Sequence, residues 1–357
     1  MVEKLIGVLL SDKIFQGIPK GKTRFENIEL YEEAGKMYGL TPCFFRLKDI
    51  SKGNTEINAF VKIDGSYKKM AVPTPKVIHN RAHTFSKKAK VKLQSLVDDG
   101  IIIFNQCNRY SKLKIHELLA ENEELIPYLP RTLKATEENI FSMLENNHKL
   151  IIKPNSSSLG IGVMMIERRN SENVLSYIDK KEKRLKQISF SSDLPNVLIK
   201  TISKKNYLVQ ERIQLATFQG NPFDLRVSVQ RNHQGAWQVT GVVGKVAKSG
   251  HFVTNVARGG RVSQLDRLLE GRLDFGETFQ KIEQLSLSIA KQLAKKLPNL
   301  ADLGLDIGLT SNGDPMFIGF NGRDLRTMFK NARMLDTWKA TYSTPIGYGN
   351  YLLDTLA

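Results

Sequence analysis

The sequence predicts an α/β protein, with a small, mostly parallel sheet over residues 1–105 and a change of pattern from Ser111 onward. Three observations predict it. Apolar strand-like runs alternate with helical stretches through the N-terminal part, the pattern of a parallel sheet with crossover helices. Beyond it, short apolar runs pair across Gly-containing turns, as in antiparallel hairpins. The 357 residues, 41% of them hydrophobic, suffice for two or three units with sizeable cores.

Residues 5–10 are an apolar run suited to a buried strand, and residues 25–38 have helical spacing. Residues 41–45 form a second strand, and residues 58–64 and 68–72 a hairpin turning at Gly65-Ser66. A strand over 76–79, a basic helix over 87–97 stopped by Gly100, and a strand over 101–104 follow. Residues 112–119 read as a helix, broken by Pro127 and Pro130; Thr136 is positioned to cap a helix over 137–146. A strand over 149–154, a Ser/Gly loop and a strand over 163–166 come next, then a highly charged helix over 173–187. Residues 207–210 form a strand, and 225–230 pairs with 237–246 across 232–235. A long amphipathic helix over 275–296 stops at Pro298, and 305–310 with 316–320 makes the last hairpin. Phe44, Phe45 and Trp237 read as core residues.

Two cysteines, Cys43 and Cys107, exclude a disulfide scaffold and a cysteine-built zinc site. The six histidines are scattered without metalloprotease spacing. No apolar run approaches the ~18–20 residues that span a bilayer. The N-terminal run carries Glu3 and has no Ala-x-Ala-like site, so it reads as a first strand and not a signal peptide; synthesis in a reducing cytosol is expected. The net charge of +17 favours anionic partners. The lysines are spread over several segments without interleaved aromatics, so no sequence-specific nucleic-acid site is expected.

Chemistry concentrates in a few stretches. Lys153 ends a strand and precedes a loop containing Ser156, Ser157, Ser158, Gly160 and Gly162. Glycines let backbone N–H groups approach phosphates, and a lysine supplies a point charge. A plain hairpin turn fits the same residues. The stretch is neither a Walker A loop nor a Rossmann fingerprint, because Gly-Lys-Ser/Thr is missing and a strand follows it. Asp306 and Asn321 fall on adjacent predicted strands, where oxygen ligands suit Mg²⁺; a strand-end polar residue and a turn are the alternative. Residues 209–213 leave the core through polar positions, as a strand holding a flat base would. Asp224 and Arg226 share a strand face, either as an ion pair or with the Arg held for phosphate.

The order and spacing of these pieces resemble the ATP-grasp superfamily over roughly residues 105–330. Within it they resemble the YheC/YheD family, described as endospore-coat-associated, through Val77-Ile78-His79-Asn80-Arg81, Phe223-Asp224-Leu225-Arg226-Val227 and Asn321-Gly322-Arg323-Asp324-Leu325-Arg326. The resemblance implies an ATP-grasp fold preceded by a small parallel-sheet α/β domain: residues 1–105, then 106–357 with one lobe over about 106–208 and a second over about 209–345. It implies ATP and Mg²⁺ as cofactors. Lys112 and Lys153 would hold phosphates, with the loop of Ser156, Ser157, Ser158, Gly160 and Gly162. The segment Gln210, Glu211, Arg212 and Ile213 would hold adenine; Asp224, Lys245 and Asn255 would also face ATP. Arg226 would be catalytic, and Asp306, Asn321 and Asp324 would hold metal.

The superfamily usually ends in Glu-x-Asn, whose Glu bridges two metals, but here the residues are Gly319-Phe320-Asn321. Three functional expectations follow. The first is a ligase that turns a small-molecule or peptide carboxylate into an acyl phosphate for attack by an amine or thiol. The second, favoured by Gly319, is a nucleotide-binding or structural protein of the spore without turnover. The third is a binder of polyanions or nucleic acid. Spore-coat components are the partners, and the spore coat the location, that the resemblance implies.

Overall fold

The computed structural model describes residues 4–83, 86–156, 160–170, 172–179, 182 and 184–356. The N-terminal sheet has the order β4-β3-β2-β1-β5-β6 and is built from β1 (Leu5–Leu9), β2 (Thr41–Phe45), β3 (Glu56–Ile63), β4 (Ser66–Pro73), β5 (Val77–Asn80) and β6 (Ile102–Phe104). Its β2-β1-β5-β6 part is parallel. The crossovers are α1 (Asp12–Phe15) with α2 (Ile28–Met37), and α3 (Lys87–Asp98). Asn27 caps α2 and Ser86 caps α3 through their side-chain oxygens. The β3–β4 hairpin turns at Asp64-Gly65 (φ 50° and 79°), one residue before the expected turn. This two-residue loop has positive φ at both central positions, as in a type I′ turn, which Asp-Gly accepts more readily than Gly-Ser.

The second sheet is antiparallel, in the order β11-β10-β9-β8-β12-β7. Its strands are β7 (Thr132–Lys134), β8 (Lys149–Pro154), β9 (Met164–Arg169), β10 (Glu172–Ile178), β11 (Leu185–Phe190) and β12 (Tyr207–Glu211). With it go α4 (Lys112–Ala120), α5 (Glu137–Asn146) and α6 (Asn196–Lys204) in chain order. The helix expected over 173–187 is instead the β10–β11 hairpin. Lys and Glu content favours a helix in isolation. Here Val174 and Leu175 are buried between two partner strands, and pairing overrides propensity.

The third sheet runs β16-β15-β14-β17-β18, with β13 paired to the start of β14. Its strands are β13 (Thr217–Phe218), β14 (Asn221–Arg231), β15 (Trp237–Val246), β16 (Arg261–Ser263), β17 (Asp302–Leu309) and β18 (Pro315–Asn321). The helices α7 (Leu265–Leu269), α8 (Phe275–Lys296), α9 (Thr327–Asn331) and α10 (Leu335–Asp354) complete it. The apolar stripe of α8, with Ile282, Leu285, Ile289 and Leu293, shares a core with Val227, Val229, Leu303 and Leu305. Ile115 and Leu119 of α4 join this core. α10 packs on α2, β5, β14 and β15. Its Trp338, Tyr342 and Ile346 share a second core with Ile6, Val8, Tyr31 and Phe44, which ties the N-terminal sheet to the third. Phe44 and Phe45 are fully buried, whereas Trp237 is half-buried under the Arg231 guanidinium, 4.9 Å away. Among the described residues no helix is long and apolar enough to cross a membrane.

Candidate functional site

The site is laid out by strand register. Arg226 on β14 lies opposite Asp306 on β17, and Asp306 lies opposite Gly319 on β18. Asp224 lies opposite Lys245 on β15. Strand alternation sends Asp224, Arg226 and Ser228 to one face. The result is a buried ion network. Lys245 Nζ sits 2.9 Å from Asp224 Oδ1 and 2.6 Å from Asp306 Oδ1; Arg226 Nη2 is 3.0 Å from the same Asp306 oxygen. Burial alone would raise the Asp306 carboxyl, but Arg226 and Lys245 outweigh it and hold it at about 2. Asp224 accepts from Thr254 Oγ1 at 2.6 Å, yet burial keeps its carboxyl above the usual range despite Lys245. The Asn321 amide donates to Asp306 Oδ2 at 3.0 Å, so these two oxygen-bearing side chains meet as their spacing predicted.

Asp324 is turned away from that pair. It is fully buried, with Oδ1 3.3 Å from Arg226 Nη1 and Oδ2 accepting from Ser228 Oγ. The Arg226 guanidinium therefore stands between Asp306 and Asp324. Gly304 makes room for this: a Cβ there would fall 2.5 Å from both Arg226 Nη1 and Asp324 Oδ1. At Gly319 no such crowding exists, since a Cβ would lie 3.6 Å from Asp306 Oδ2, an ordinary contact.

Across from this network, β8 of the second sheet supplies Lys153. Its Nζ donates to Gln210 Oε1 at 2.7 Å and to the Ile318 carbonyl at 3.2 Å, bridging the second and third sheets. Burial, then the charge of Lys112, pushes Lys153 down to about 7. Lys112, at the start of α4, donates to the Pro154 carbonyl at 3.1 Å; burial and then Arg109 bring it to about 8. The Asp306 charge acts on both lysines in the opposite sense. The two lysines line a narrow cleft with His116, Thr132 and Gly319.

Around the phosphate-loop candidate, Gly160 and Gly162 adopt φ of 64° and 78°. A Cβ on Gly162 would stand 2.7 Å from Tyr207 Oη, so backbone conformation and space both demand glycine there. Ser156 is exposed, and its carbonyl accepts from Arg109 Nη2. Ser157 and Ser158 lie outside the described residues. Gln210 is buried, and its side chain is spent on Lys153 and Thr132. Glu211 is exposed, while Arg212 and Ile213 are half-buried where the chain leaves β12. Asn255 caps the short helix Val256–Arg258, its Oδ1 accepting from the Ala257 N–H at 2.9 Å.

Asp306 and Asn321 offer one carboxylate and one amide; among the described residues no group of three His, Cys, Asp or Glu gathers. That set fits one Mg²⁺ that keeps waters and shares phosphate oxygens. It lacks a carboxylate to bridge two ions.

Residues 100–352 match the family described as YheC/D like ATP-grasp. The chain belongs to this ATP-grasp family. YheC/D-like relatives resemble it over most of its length. The endospore coat-associated protein YheD of Bacillus subtilis (strain 168) is 25% identical over 335 residues, 91% of this chain and 72% of that one. The endospore coat-associated protein YheC of the same strain is 22% identical over 298 residues, 80% of this chain and 81% of its own. Among solved structures, the ATP-grasp ligase PsnB complexed with minimal precursor superposes with a TM-score of 0.52 at 15% identity, covering 96% of this chain and all of that one (100%). D-alanyl-alanine synthetase A from Vibrio cholerae does so with a TM-score of 0.52 at 11% identity, over 96% and 99%. At these identities the likeness is one of fold, and the mixed α/β ATP-grasp architecture is as expected.

Sequence reasoning missed a second buried network. Asp302, at the start of β17, is fully buried; its Oδ2 is 2.6 Å from Arg326, 3.1 Å from His79 and 3.2 Å from Arg81, and its Oδ1 accepts from Gln230. Arg81 also pairs with Glu26 at 2.8 Å. His79-Asn80-Arg81 and Arg323 to Arg326 stood out in the sequence, but Glu26 and Asp302 carried no signal of their own.

Proposed function

We propose that the chain binds ATP with one Mg²⁺ between the second and third sheets and activates a carboxylate as an acyl phosphate. The observation that carries this reading is the convergence of Lys245 and Arg226 on Asp306, with Lys112 and Lys153 facing it from the other sheet. Four basic groups, Lys112, Lys153, Arg226 and Lys245, against the three carboxylates Asp224, Asp306 and Asp324 leave the site short of negative charge, which a triphosphate supplies. Residues 1–105 then form the preceding domain and 106–357 the ATP-grasp unit.

Lys153 and Lys112 hold phosphate oxygens, exchanging their present partners Gln210, Ile318 and Pro154 for them. The backbone of residues 210–213 takes the adenine edge. Asp306 and Asn321 would hold the metal, which supplies charge neutralisation on the phosphates. Arg226 stabilises charge on the transferring phosphoryl group. Asp324 is a positioning residue that anchors Arg226, not a metal ligand. The substrate carboxylate oxygen attacks the γ-phosphorus, and ADP leaves. An amine or thiol then attacks the acyl carbon, loses its proton, and phosphate departs. The chain needs no nucleophile of its own. PsnB, solved with Mg and ADP, supports a magnesium nucleotide in this fold. The names of YheC and YheD support a place at the endospore coat.

Gly319 favours a second reading, nucleotide binding without turnover. Calorimetry with MgATP, followed by ADP and phosphate release in mixtures of amino acids and peptides, tests both. Binding with substrate-dependent release upholds the ligase; binding without release upholds the second reading; absence of MgATP binding overturns both.

A further inference from the structure

Three arginines are buried where the N-terminal sheet meets the end of β18, and they differ in one respect. Arg81 is paired with Glu26 and Asp302, and Arg326 with Asp302. Arg323 is 7% exposed, yet has no carboxylate within ion-pair distance among the described residues. Its Nη1 donates to the Arg81 carbonyl at 3.0 Å, its guanidinium lies 4.9 Å from the Phe25 ring centre, and its Nε is buried without a partner. Among the described residues the Nε–Nη2 edge makes no hydrogen bond, and it is the edge that takes a carboxylate side-on through two parallel hydrogen bonds.

A buried guanidinium without an ion-pair partner is costly, so its presence calls for a compensating role. Its surroundings are mostly positive: Arg81 and Arg326 oppose its charge, and Glu26, already paired with Arg81, offsets them only in part. The exposed His83 imidazole is pushed down to about 4 by partial loss of hydration, then by the charges of Arg323, Arg109 and Arg81. Arg109 in turn donates to the carbonyl of Ser156, at the start of the phosphate-loop candidate. This positive rim begins at that loop and ends at Arg323, two residues beyond Asn321. Arg226, not Arg323, stands against Asp306.

We infer that Arg323 is a substrate-binding residue that receives a carboxylate other than the one phosphorylated. The substrate is then a dicarboxylate or an acidic amino-acid derivative, an inference that rests on the ligase reading for the site as a whole.

The test follows the Arg Nε–H resonance of Arg323 in the full chain by NMR, assigned by its absence in Arg323→Lys. Added glutarate is expected to shift it saturably, whereas glutaramide and sodium chloride at matched ionic strength leave it in place. Arg323→Gln, with its fold checked by thermal melting, is expected to bind glutarate about ten- to a hundredfold more weakly. A resonance that does not move, or moves as far with chloride, overturns the proposal. An equal shift with inorganic phosphate overturns the carboxylate assignment. MgATP binding is measured separately. If it is absent while glutarate still shifts Arg323, the carboxylate site stands and the ligase reading falls; if it is present while glutarate does nothing, the reverse holds.

Discussion

Lys153 shows what burial does to a single charge. Its amine is held at about 7, first by burial and then by Lys112. Phosphate oxygens favour the ammonium form, so a phosphate complex carries a proton that free Lys153 has largely lost above that pH. ATP affinity is therefore expected to rise as pH is lowered toward about 7 and to level off below it. In Lys153→Met the part of this rise near about 7 should be lost, leaving the part that Lys112 contributes near about 8. Removing a charged hydrogen bond costs ~1.5–3 kcal/mol, so affinity should also fall roughly ten- to a hundredfold by calorimetry. An unchanged affinity would remove Lys153 from the phosphate site. Asp324 gives the complementary case. Because both its oxygens are taken by Arg226 and Ser228, Asp324→Asn is expected to slow turnover by loosening Arg226. Mg²⁺ affinity in the presence of ATP should remain that of the wild type, and a fall of tenfold or more would return Asp324 to the metal.

At the scale of elements, the paired strands β17 and β18 carry the question of catalysis. Gly319 lies opposite Asp306, and its φ is not in the left-handed region. Its Cβ position is open, so Gly319→Glu is expected to fold and to bring a second carboxylate beside Asp306. Without metal, two neighbouring carboxylates repel. The variant should thus melt at a lower temperature than wild type in chelator and recover with Mg²⁺, as binding to the native state stabilises it. A melting temperature insensitive to Mg²⁺ would place the metal elsewhere. Gly304 predicts the contrary outcome on the neighbouring strand. A Cβ there meets Arg226 and Asp324 at 2.5 Å, so Gly304→Ala is expected to destabilise the fold by ~1–3 kcal/mol in urea unfolding.

For the molecule as a whole, Asp302 joins the N-terminal sheet to the third. It receives His79, Arg81 and Arg326 in a space that water does not reach. The two guanidiniums and the His79 hydrogen bond hold its carboxyl far below the usual range, against the effect of burial. Removing one member of such a network leaves buried charge uncompensated, so Asp302→Ala is expected to cost ~3–5 kcal/mol. Urea unfolding would show this; a cost under about 1 kcal/mol would mean the junction is held by the apolar contacts of α10 alone.

Much of this was legible locally. Thr136 and the 137–146 helix, the 275–296 helix and the strand pairs 225–230 with 237–246 and 305–310 with 316–320 agree with the structure, because capping and periodicity are written over a few adjacent residues. So is the meeting of Asp306 with Asn321, which one hairpin brings about. The 173–187 segment was misread because its charged composition favours a helix, while its fate was decided by two strands that bury Val174 and Leu175. The sequence by itself determined the α/β alternation, the ATP-grasp resemblance and the candidate residues of the cleft. Only the tertiary structure decided which charges meet. It turned Asp324 toward Arg226, set Glu26 and Asp302 against arginines from other segments, and left Arg323 without an ion-pair partner among the described residues. The physical reason is that ion pairing in a buried space depends on register and packing between elements, and residues tens to hundreds of positions apart carry no local trace of it.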